Sequence, residues 1–135
     1  MQYWLVKTEP EAFSWQDLVT QQQAMWDGVR NYTARNNLRA MEVNDLVLIY
    51  HSITDKCIVG FGRIATSAYP DPTIADARWV AVDIVPVTAL PTHVTLAQIK
   101  AEPELETLPL IKQSRLSVMS VSEEAFQLIL KMGGL

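Results

Sequence analysis

Helix-start signals and short apolar runs alternate irregularly along this chain of 135 residues, and this mixture is the feature that most constrains its fold. Ser14 and Asp17 have the spacing of a capping box. Thr95 and Gln98 repeat that spacing, and Ser122 precedes an apolar helical pattern near the end of the chain. The apolar runs between these signals have the alternation or the continuous apolar character of strands. About five strands and four helices in mixed order predict an α+β fold with a twisted, barrel-like sheet.

The expected element boundaries follow from these patterns and from the turn-forming residues between them. The expected strands are Tyr3–Lys7, Leu46–Tyr50, Ile58–Ile64, Arg78–Val85 and Leu116–Val121. The expected helices begin near Ser14, Thr33, Thr95 and Ser122, and the first two end near Ala24 and Met41. Loops are expected at Gly28–Tyr32, which follows a turn signal, and at Tyr69–Pro72. These elements predict one domain spanning residues 1–135.

Length and composition limit the class of protein. Apolar residues make up 49% of the chain, which excludes intrinsic disorder. No apolar run approaches the ~20 residues that cross a bilayer, so no membrane contact is expected. The start at Met1 lacks a signal-peptide pattern, and the single cysteine, Cys57, lies in an apolar context. These features predict an intracellular, cytoplasmic protein with a reduced thiol, and the absence of heptads favours a monomer.

Residues that would hold a metal or a nucleotide cofactor are not apparent. The only two histidines, His51 and His93, lie far apart in the chain. With the single cysteine they do not form the closely spaced ligand pairs that are typical of zinc sites. No glycine-rich dinucleotide or P-loop pattern occurs, so no metal and no cofactor are expected. His51 and Ser52 follow the expected strand Leu46–Tyr50, and neighbours in an extended chain point to opposite faces, so they cannot form a nucleophile–base pair without a sharp turn. The segment Tyr50–Ser52 is either a polar strand end or a pocket wall.

The run Trp26–Arg39 is basic and aromatic within an otherwise acidic chain. Three arginines and one acid lie between Asp27 and Met41, whereas the whole chain has a net charge of −4. Arginine donates to phosphate, asparagine hydrogen-bonds to base edges, and Trp or Tyr stacks on a base. The run therefore indicates a surface for a planar, anionic ligand. A turn followed by an amphipathic helix with a basic polar face explains the same residues.

The four tryptophans differ in their sequence context. Trp4, Trp15 and Trp79 are expected to contribute to the core rather than to a ligand-binding aromatic cage. Trp26 is the first residue of the basic run instead, which makes it the candidate for contact with a ligand.

Several segments in order along the chain together resemble the EVE domain family. These segments are Tyr3–Pro10, Trp26–Tyr32, Ala34–Asn36, Tyr50–Ser52, Ile58–Gly60, Tyr69–Pro72 and Arg115–Val118. The resemblance implies a PUA-like fold, a mixed twisted sheet forming a pseudo-barrel flanked by helices, related to YTH and ASCH domains. It also implies binding of nucleic acid, DNA or RNA, with a modified base taken into an aromatic pocket. Two departures are a shorter segment between Pro72 and Trp79 and an apolar Met119 where many members have glutamine.

The expected site combines this resemblance with the basic run. Trp26 and either Tyr32 or Tyr50 would enclose the base, while Asn31, Ser52 and the backbone near Gly28 would read its edge. The expected ligand-binding residues are Trp26, Gly28, Val29, Arg30, Asn31, Tyr32, Tyr50, His51, Ser52, Arg115 and Ser117. The expected phosphate-binding residues are Lys7, Arg35 and Arg39, with Arg30 and Arg115 also placed to hold flanking phosphates.

Two other classes of function fit the same residues. One is a metal-independent RNA-processing enzyme of ASCH type, in which Lys7, Thr8, Glu9, Arg30 and Tyr32 would form the hydrolytic cluster. The other is a sensor of a small molecule such as a nucleobase or nucleotide, which would leave the phosphate-facing arginines without a role.

Overall fold

A computed structural model describes all residues from 1 to 135, which form six strands and five α-helices. The strands are β1 (Tyr3–Thr8), β2 (Ala24–Trp26), β3 (Leu46–His51), β4 (Cys57–Pro70), β5 (Val80–Thr95) and β6 (Val118–Val121). The helices are α1 (Trp15–Gln21), α2 (Tyr32–Ala40), α3 (Leu96–Ala101), α4 (Pro109–Lys112) and α5 (Glu123–Met132). A short 3-10 helix, Pro103–Leu105, lies between α3 and α4. The predicted α+β class is confirmed.

The six strands form one mixed sheet in the order β2-β5-β4-β3-β1-β6. β1 pairs in parallel with β3, and every other pairing is antiparallel. β2 and β6 are the two edges and do not pair with each other, so hydrogen bonds do not close the twisted sheet. Helix α2 contacts β4, β5 and β6 and thus bridges distant parts of the sheet.

The parallel pair β1 and β3 lies at the centre of the hydrophobic core. Leu5 of β1 and Leu48 of β3 are fully inaccessible to solvent. Burial of both strand faces explains why these strands have nearly continuous apolar sequences. Helix α5 packs Phe126 against Tyr3 and Phe61, with ring centroids 4.7 and 5.6 Å apart respectively. Phe126 thereby anchors the first residue of β1, and the site described below lies at the opposite, C-terminal ends of β1 and β3.

Helix α1 is shorter than the sequence suggested, and the prediction that it runs to Ala24 is wrong. The helix ends at Gln21, and Gln22 takes a left-handed conformation with φ 68°. Ala24–Trp26 then pairs with β5 as an edge strand. Ala24 and Trp26 are buried while Met25 is exposed, so the two-residue alternation of a strand prevails over the helical propensity of the glutamines.

The strands β4 and β5 are much longer than expected. Tyr69 and Pro70 were expected in a loop but end β4, while Asp71 and Pro72 do lie in the following loop. β5 continues past Val85 to Thr95 and contains Pro86 opposite Gly62, at a shift in register. Proline is tolerated at such irregularities, and this is why the prolines did not mark the end of the strand.

Both capping boxes and the cap at Ser122 form as predicted. Ser14 accepts from the Asp17 N–H, Thr95 from Gln98, and Ser122 from Ala125. Sequence patterns did not indicate α4 or the 3-10 helix, which are only one turn long. No helix is both long and apolar enough to span a membrane. The cytoplasmic location stays a prediction.

Candidate functional site

Two adjoining clefts share a wall formed by Lys7, Thr8 and Glu9 at the end of β1. The first, the Trp26 cleft, has a volume of about 700 Å³, and its other lining residues include Phe13, Ala24, Trp26, Asp27 and Gly28. The second, the Tyr50 cleft, has a volume of about 650 Å³, and its other lining residues include Tyr50, Ser52, Ile53, Ser114 and Ser117. The shared wall makes them two lobes of one groove, which we call the β1 groove.

The Trp26 cleft is built by the alternation of β2. Trp26 is only 8% exposed and packs edge-on against Phe13, with ring centroids 5.9 Å apart. Its indole is therefore part of the hydrophobic core as well as of the cleft. Phe13 is fixed in turn, because its carbonyl oxygen accepts from the Thr8 hydroxyl at 2.6 Å. The cleft thus has a rigid aromatic wall.

The Tyr50 cleft combines a buried aromatic ring with hydroxyl groups. Tyr50 is buried at the end of β3, and burial raises its pKa, with a further contribution from nearby Cys57. Ser52 and Ser117 line the cleft, and neither hydroxyl is engaged by a protein partner. A phenol ring and two free hydroxyls offer both apolar contact and hydrogen bonds to a planar polar ligand.

Lys7 connects the clefts to the segment that follows α4. Its backbone N–H donates to the Ser117 carbonyl at 2.9 Å, and its ammonium donates to the Ser114 carbonyl at 2.9 Å. Burial lowers the pKa of Lys7. Lys7 therefore positions one wall of the Tyr50 cleft in addition to lining the groove.

A third, smaller cleft of about 320 Å³ adjoins the Tyr50 cleft, and we call it the Arg115 cleft. Its lining residues are Asn31, Thr33, Lys112, Gln113, Ser114, Arg115 and Leu116. Ser114 lines both this cleft and the Tyr50 cleft. Asn31 caps α2, with its side-chain oxygen accepting from the Ala34 N–H at 2.9 Å, and its amide nitrogen stays available for other partners.

The loop between β2 and α2 is fixed by Asp71, a residue that the sequence did not single out. The Asp71 side chain is fully buried and accepts from the Gly28 N–H and the Arg30 guanidinium, each at 3.0 Å. Burial by itself raises the pKa of Asp71, but hydrogen bonds from Thr73, Gly28 and Arg30 outweigh it and hold the pKa well below its usual value. The Tyr69–Pro72 motif gave the only signal, as an acid between two prolines.

Tyr32 lies with Trp79 and not with Trp26, so the expected Trp26–Tyr32 enclosure is wrong. The Tyr32 and Trp79 rings are 5.1 Å apart, and the Arg35 guanidinium lies 5.1 Å from the Tyr32 ring. Arg78 donates to the Tyr32 hydroxyl at 3.1 Å. Tyr32 starts α2, and the helix directs its ring towards the segment before β5. Of the two tyrosines considered, Tyr50 and not Tyr32 lines the β1 groove together with Trp26.

His51 lies outside the lining of all three clefts, contrary to its expected ligand-binding role. Its Nε2 accepts from the Trp15 N–H at 3.0 Å, and its Nδ1 lies 3.4 Å from an Asp55 carboxylate oxygen. The ring therefore satisfies a free N–H at the start of α1. Of the two interpretations of Tyr50–Ser52, the strand-end role holds for His51 and the pocket-wall role for its two neighbours.

The remaining candidates fall into buried and exposed positions. Val29 is 9% exposed and belongs to the core, which excludes a polar role for its side chain. Arg39 is exposed on α2 and forms no ion pair. Trp4 lies in the core as expected, whereas Trp15 is half-buried and Trp79 is buried outside the main core cluster. Met119 is buried, so it offers no polar contact there.

The five residues of the proposed hydrolytic cluster are not brought together. Lys7, Thr8 and Glu9 line the β1 groove. Arg30 and Tyr32 contact Asp71 and Trp79 instead. The geometry gives this cluster no support.

The sequence pattern of the EVE domain matches residues 2–132. The chain belongs to the EVE domain family. Among the relatives of this EVE domain, thymocyte nuclear protein 1 of Mus musculus is 35% identical over 164 residues, covering 96% of this chain and 73% of that protein. That alignment is longer than this chain, so the mouse protein carries inserted residues.

Solved structures superpose closely on this EVE domain. A protein of Agrobacterium tumefaciens has a TM-score of 0.98 at 40% identity, covering 100% of this chain and 94% of its own. The human THYN1 protein, in complex with DNA containing 5-methylcytosine, has a TM-score of 0.93 at 31% identity, covering 100% and 99%. An ASCH protein of Zymomonas mobilis shares the fold, with a TM-score of 0.61 at 11% identity, covering 97% of this chain and 95% of its own. The predicted PUA-like fold is confirmed.

Proposed function

We propose that this EVE domain binds nucleic acid and takes a modified base into the β1 groove. The observation that carries the proposal is the shared wall of the Trp26 and Tyr50 clefts, which joins a lobe lined by Trp26 to a lobe that combines Tyr50 with the free hydroxyls of Ser52 and Ser117. The volumes of the two lobes fall within the ~300–1,000 Å³ typical of small-ligand sites. The human THYN1 protein, which superposes over the whole chain, has been crystallised with DNA containing 5-methylcytosine.

The base would enter the Tyr50 cleft, because this cleft combines a buried aromatic ring with free hydroxyls. Tyr50 supplies a ring, while the Ser52 and Ser117 hydroxyls are free to hydrogen-bond to the base edge. Trp26 and Phe13 would contact the next ring or the sugar in the adjoining lobe. Flipping a base costs a few kcal/mol, so extra contacts with a modifying group would supply the selectivity.

The polymer and the modification are identified by titration of one sequence in several forms. Tryptophan fluorescence is followed while short DNA and RNA strands are added at fixed salt, unmodified or carrying 5-methylcytosine, 5-hydroxymethylcytosine or N6-methyladenine. Binding of one modified strand at much lower concentration than its unmodified form supports the proposal. Equal, salt-sensitive binding of all strands would mean that the protein contacts only the sugar-phosphate backbone of the strand and does not recognise the modified base. No response to any strand favours the small-molecule sensor.

A pair of serine variants tests whether the Tyr50 cleft is the base site. Ser117→Ala removes a free hydroxyl from the cleft, whereas Ser120→Ala removes an exposed hydroxyl from β6. We expect the first variant to lower affinity for the modified strand by about tenfold, which corresponds to one lost hydrogen bond of about 1–1.5 kcal/mol. The second should bind as the parent does. Equal affinity for both would place the base elsewhere.

A further inference from the structure

The Arg115 cleft concentrates positive charge and hydrogen-bond donors without a counter-charge. Six of its seven lining residues are polar, two of them, Lys112 and Arg115, are cationic, and none is acidic. The chain as a whole contains 15 acidic and 11 basic residues, so this positively charged cleft differs in sign from the net charge of the protein. Side-chain amides from Asn31 and Gln113 and the Ser114 hydroxyl add neutral donors. This composition suits an oxyanion.

The cations of this cleft are free, whereas Arg30 and Arg35 of the basic run and nearby Arg78 are engaged by the protein. Arg39, the remaining arginine of the basic run, forms no ion pair but lines none of the three clefts. Arg30 pairs with buried Asp71, and Arg78 pairs with Asp76 at 2.7 Å. Arg35 donates to the side chain of Asn36 and to the Arg78 carbonyl. No salt bridge or side-chain hydrogen bond of the structure involves Lys112 or Arg115. A phosphate gains more binding free energy from an unpaired cation than from an arginine that already has a protein partner, because the paired arginine must give up that partner.

We propose that the Arg115 cleft is a phosphate subsite that holds the phosphodiester next to the base in the Tyr50 cleft. This inference rests on the proposed function, and it assigns the backbone to Lys112 and Arg115 rather than to the basic run. Ser114 lines both clefts, and the bond from Lys7 to its carbonyl oxygen fixes their relative position. Arginine supplies a forked pair of donors for phosphate oxygens, and lysine adds a point charge.

The salt dependence of binding separates this subsite from base recognition. Lys112→Gln and Arg115→Gln each remove one cation from the cleft, and Lys131→Gln removes one exposed cation from α5 as a matched control. We expect each cleft variant to lower the slope of log K against log [salt] by about 0.7–0.9, with the ratio of modified to unmodified affinity unchanged. The control should keep the parent slope. Cleft variants that behave as the control overturn the inference.

Neutral linkages locate the phosphate on the strand. A methylphosphonate is placed at one linkage at a time around the modified base, and affinity is measured for the parent protein and for Arg115→Gln. The parent should lose affinity at one linkage adjacent to the base, and the variant should lose nothing further there. Additive losses at every linkage contradict the assignment.

A monophosphate titration keeps the inference testable if no strand binds. Backbone amide resonances of Gln113 and Ser114 are followed while a nucleoside 5′-monophosphate, or inorganic phosphate alone, is added to the intact protein. Shifts in the parent and in Lys131→Gln, absent in Arg115→Gln, support a phosphate subsite even where the base-binding proposal fails. Shifts with the nucleotide only, again absent in Arg115→Gln, also support the subsite and indicate that the base must be held as well. The absence of shifts with either compound, or equal shifts in all three proteins, overturns the subsite.

Discussion

The Arg30 guanidinium donates at 3.0 Å to the carboxylate of Asp71, 41 positions later in the chain. The same carboxylate oxygen accepts from the Gly28 N–H, where the backbone has φ 76° and glycine avoids strain. Asp71 therefore holds two residues, Gly28 and Arg30, of the segment Trp26–Tyr32 that carries the family resemblance. Arg30, the first arginine of the basic run, serves to position the loop beside the Trp26 cleft, and it is not free to bind phosphate.

Replacing Asp71 by Asn should destabilise the fold. The buried carboxylate accepts charge-assisted bonds from Arg30 and further bonds from Gly28 and Thr73, and an amide cannot accept them all. Bonds of this kind are worth about 1.5–3 kcal/mol, which is the expected loss in the free energy of unfolding in urea. Asp76→Asn, at an exposed pair with Arg78, is the matched control and should cost clearly less. Equal losses would show that Asp71 is not the tether.

The stability contributed by Asp71 should depend on pH in a defined direction. Its pKa in the folded protein lies below the ordinary value of about 3.9, so the folded state holds fewer protons than the unfolded state in acid. The contribution is complete above about pH 4 and is lost as the pH falls towards the folded pKa. We expect the difference in unfolding free energy between the parent and Asp71→Asn to be constant from pH 6 to about pH 4 and to shrink as the pH falls further, to about pH 3. A constant difference would rule out the carboxylate as its source.

Local signals predicted much of the fold because they act within a few residues. The capping residues Ser14, Thr95 and Ser122 bond to N–H groups three positions along the chain, so their effect does not depend on tertiary contacts. The strand Ala24–Trp26 could not be recognised this way. Its formation depends on pairing with β5, about sixty residues later, and the glutamines before it favour a helix.

The site was predictable in its residue types but not in its pairings. Trp26, Tyr50, Ser52 and Ser117 do line one groove, which the family motifs indicated. Tyr32 pairs with Trp79 instead, because the direction of α2 and not proximity in sequence decides which ring it meets. Charge counting likewise indicated arginines without showing which ones had acidic partners.

Gly62 and Gly60 should respond to alanine to different degrees. A Cβ at Gly62 would lie 2.5 Å from the backbone oxygen of Val85, whereas one at Gly60 would lie 2.8 Å from the Trp15 ring. A backbone oxygen in the sheet cannot move away, but a half-buried side chain can. Overpacking costs about 1–3 kcal/mol, and we expect Gly62→Ala near the upper end of that range and Gly60→Ala near the lower.

Unfolding of a double variant checks the Gly60 contact itself. If the Trp15 ring causes the cost of Gly60→Ala, then Trp15→Phe, with a smaller ring, should reduce that cost, and the two changes will not be additive. Additive free energies would place the strain in the backbone of β4.

Tyr69 should ionise late in an alkaline titration. Burial and the hydrogen bond from its hydroxyl to Asp83, at 2.5 Å, raise its pKa to about 12. Since the folded state favours the neutral phenol, this stabilisation is present below about pH 10 and is lost as the pH rises towards 12. Ultraviolet difference titration should show a late step that Tyr69→Phe removes. Asp83→Asn should move that step to lower pH, and an unmoved step would exclude Asp83 as a cause.

Trp26 variants separate the stability of the core from the recognition of a ligand. Because Trp26 is 8% exposed and packs on Phe13, Trp26→Ala should cost about 3–5 kcal/mol in urea unfolding. Trp26→Phe keeps an aromatic wall and should fold. With Trp15→Phe as a control outside the groove, we expect the fluorescence change on adding a modified strand to fall most in Trp26→Phe. An undiminished change in that variant would remove Trp26 from the site and leave the Tyr50 cleft to bind the base alone.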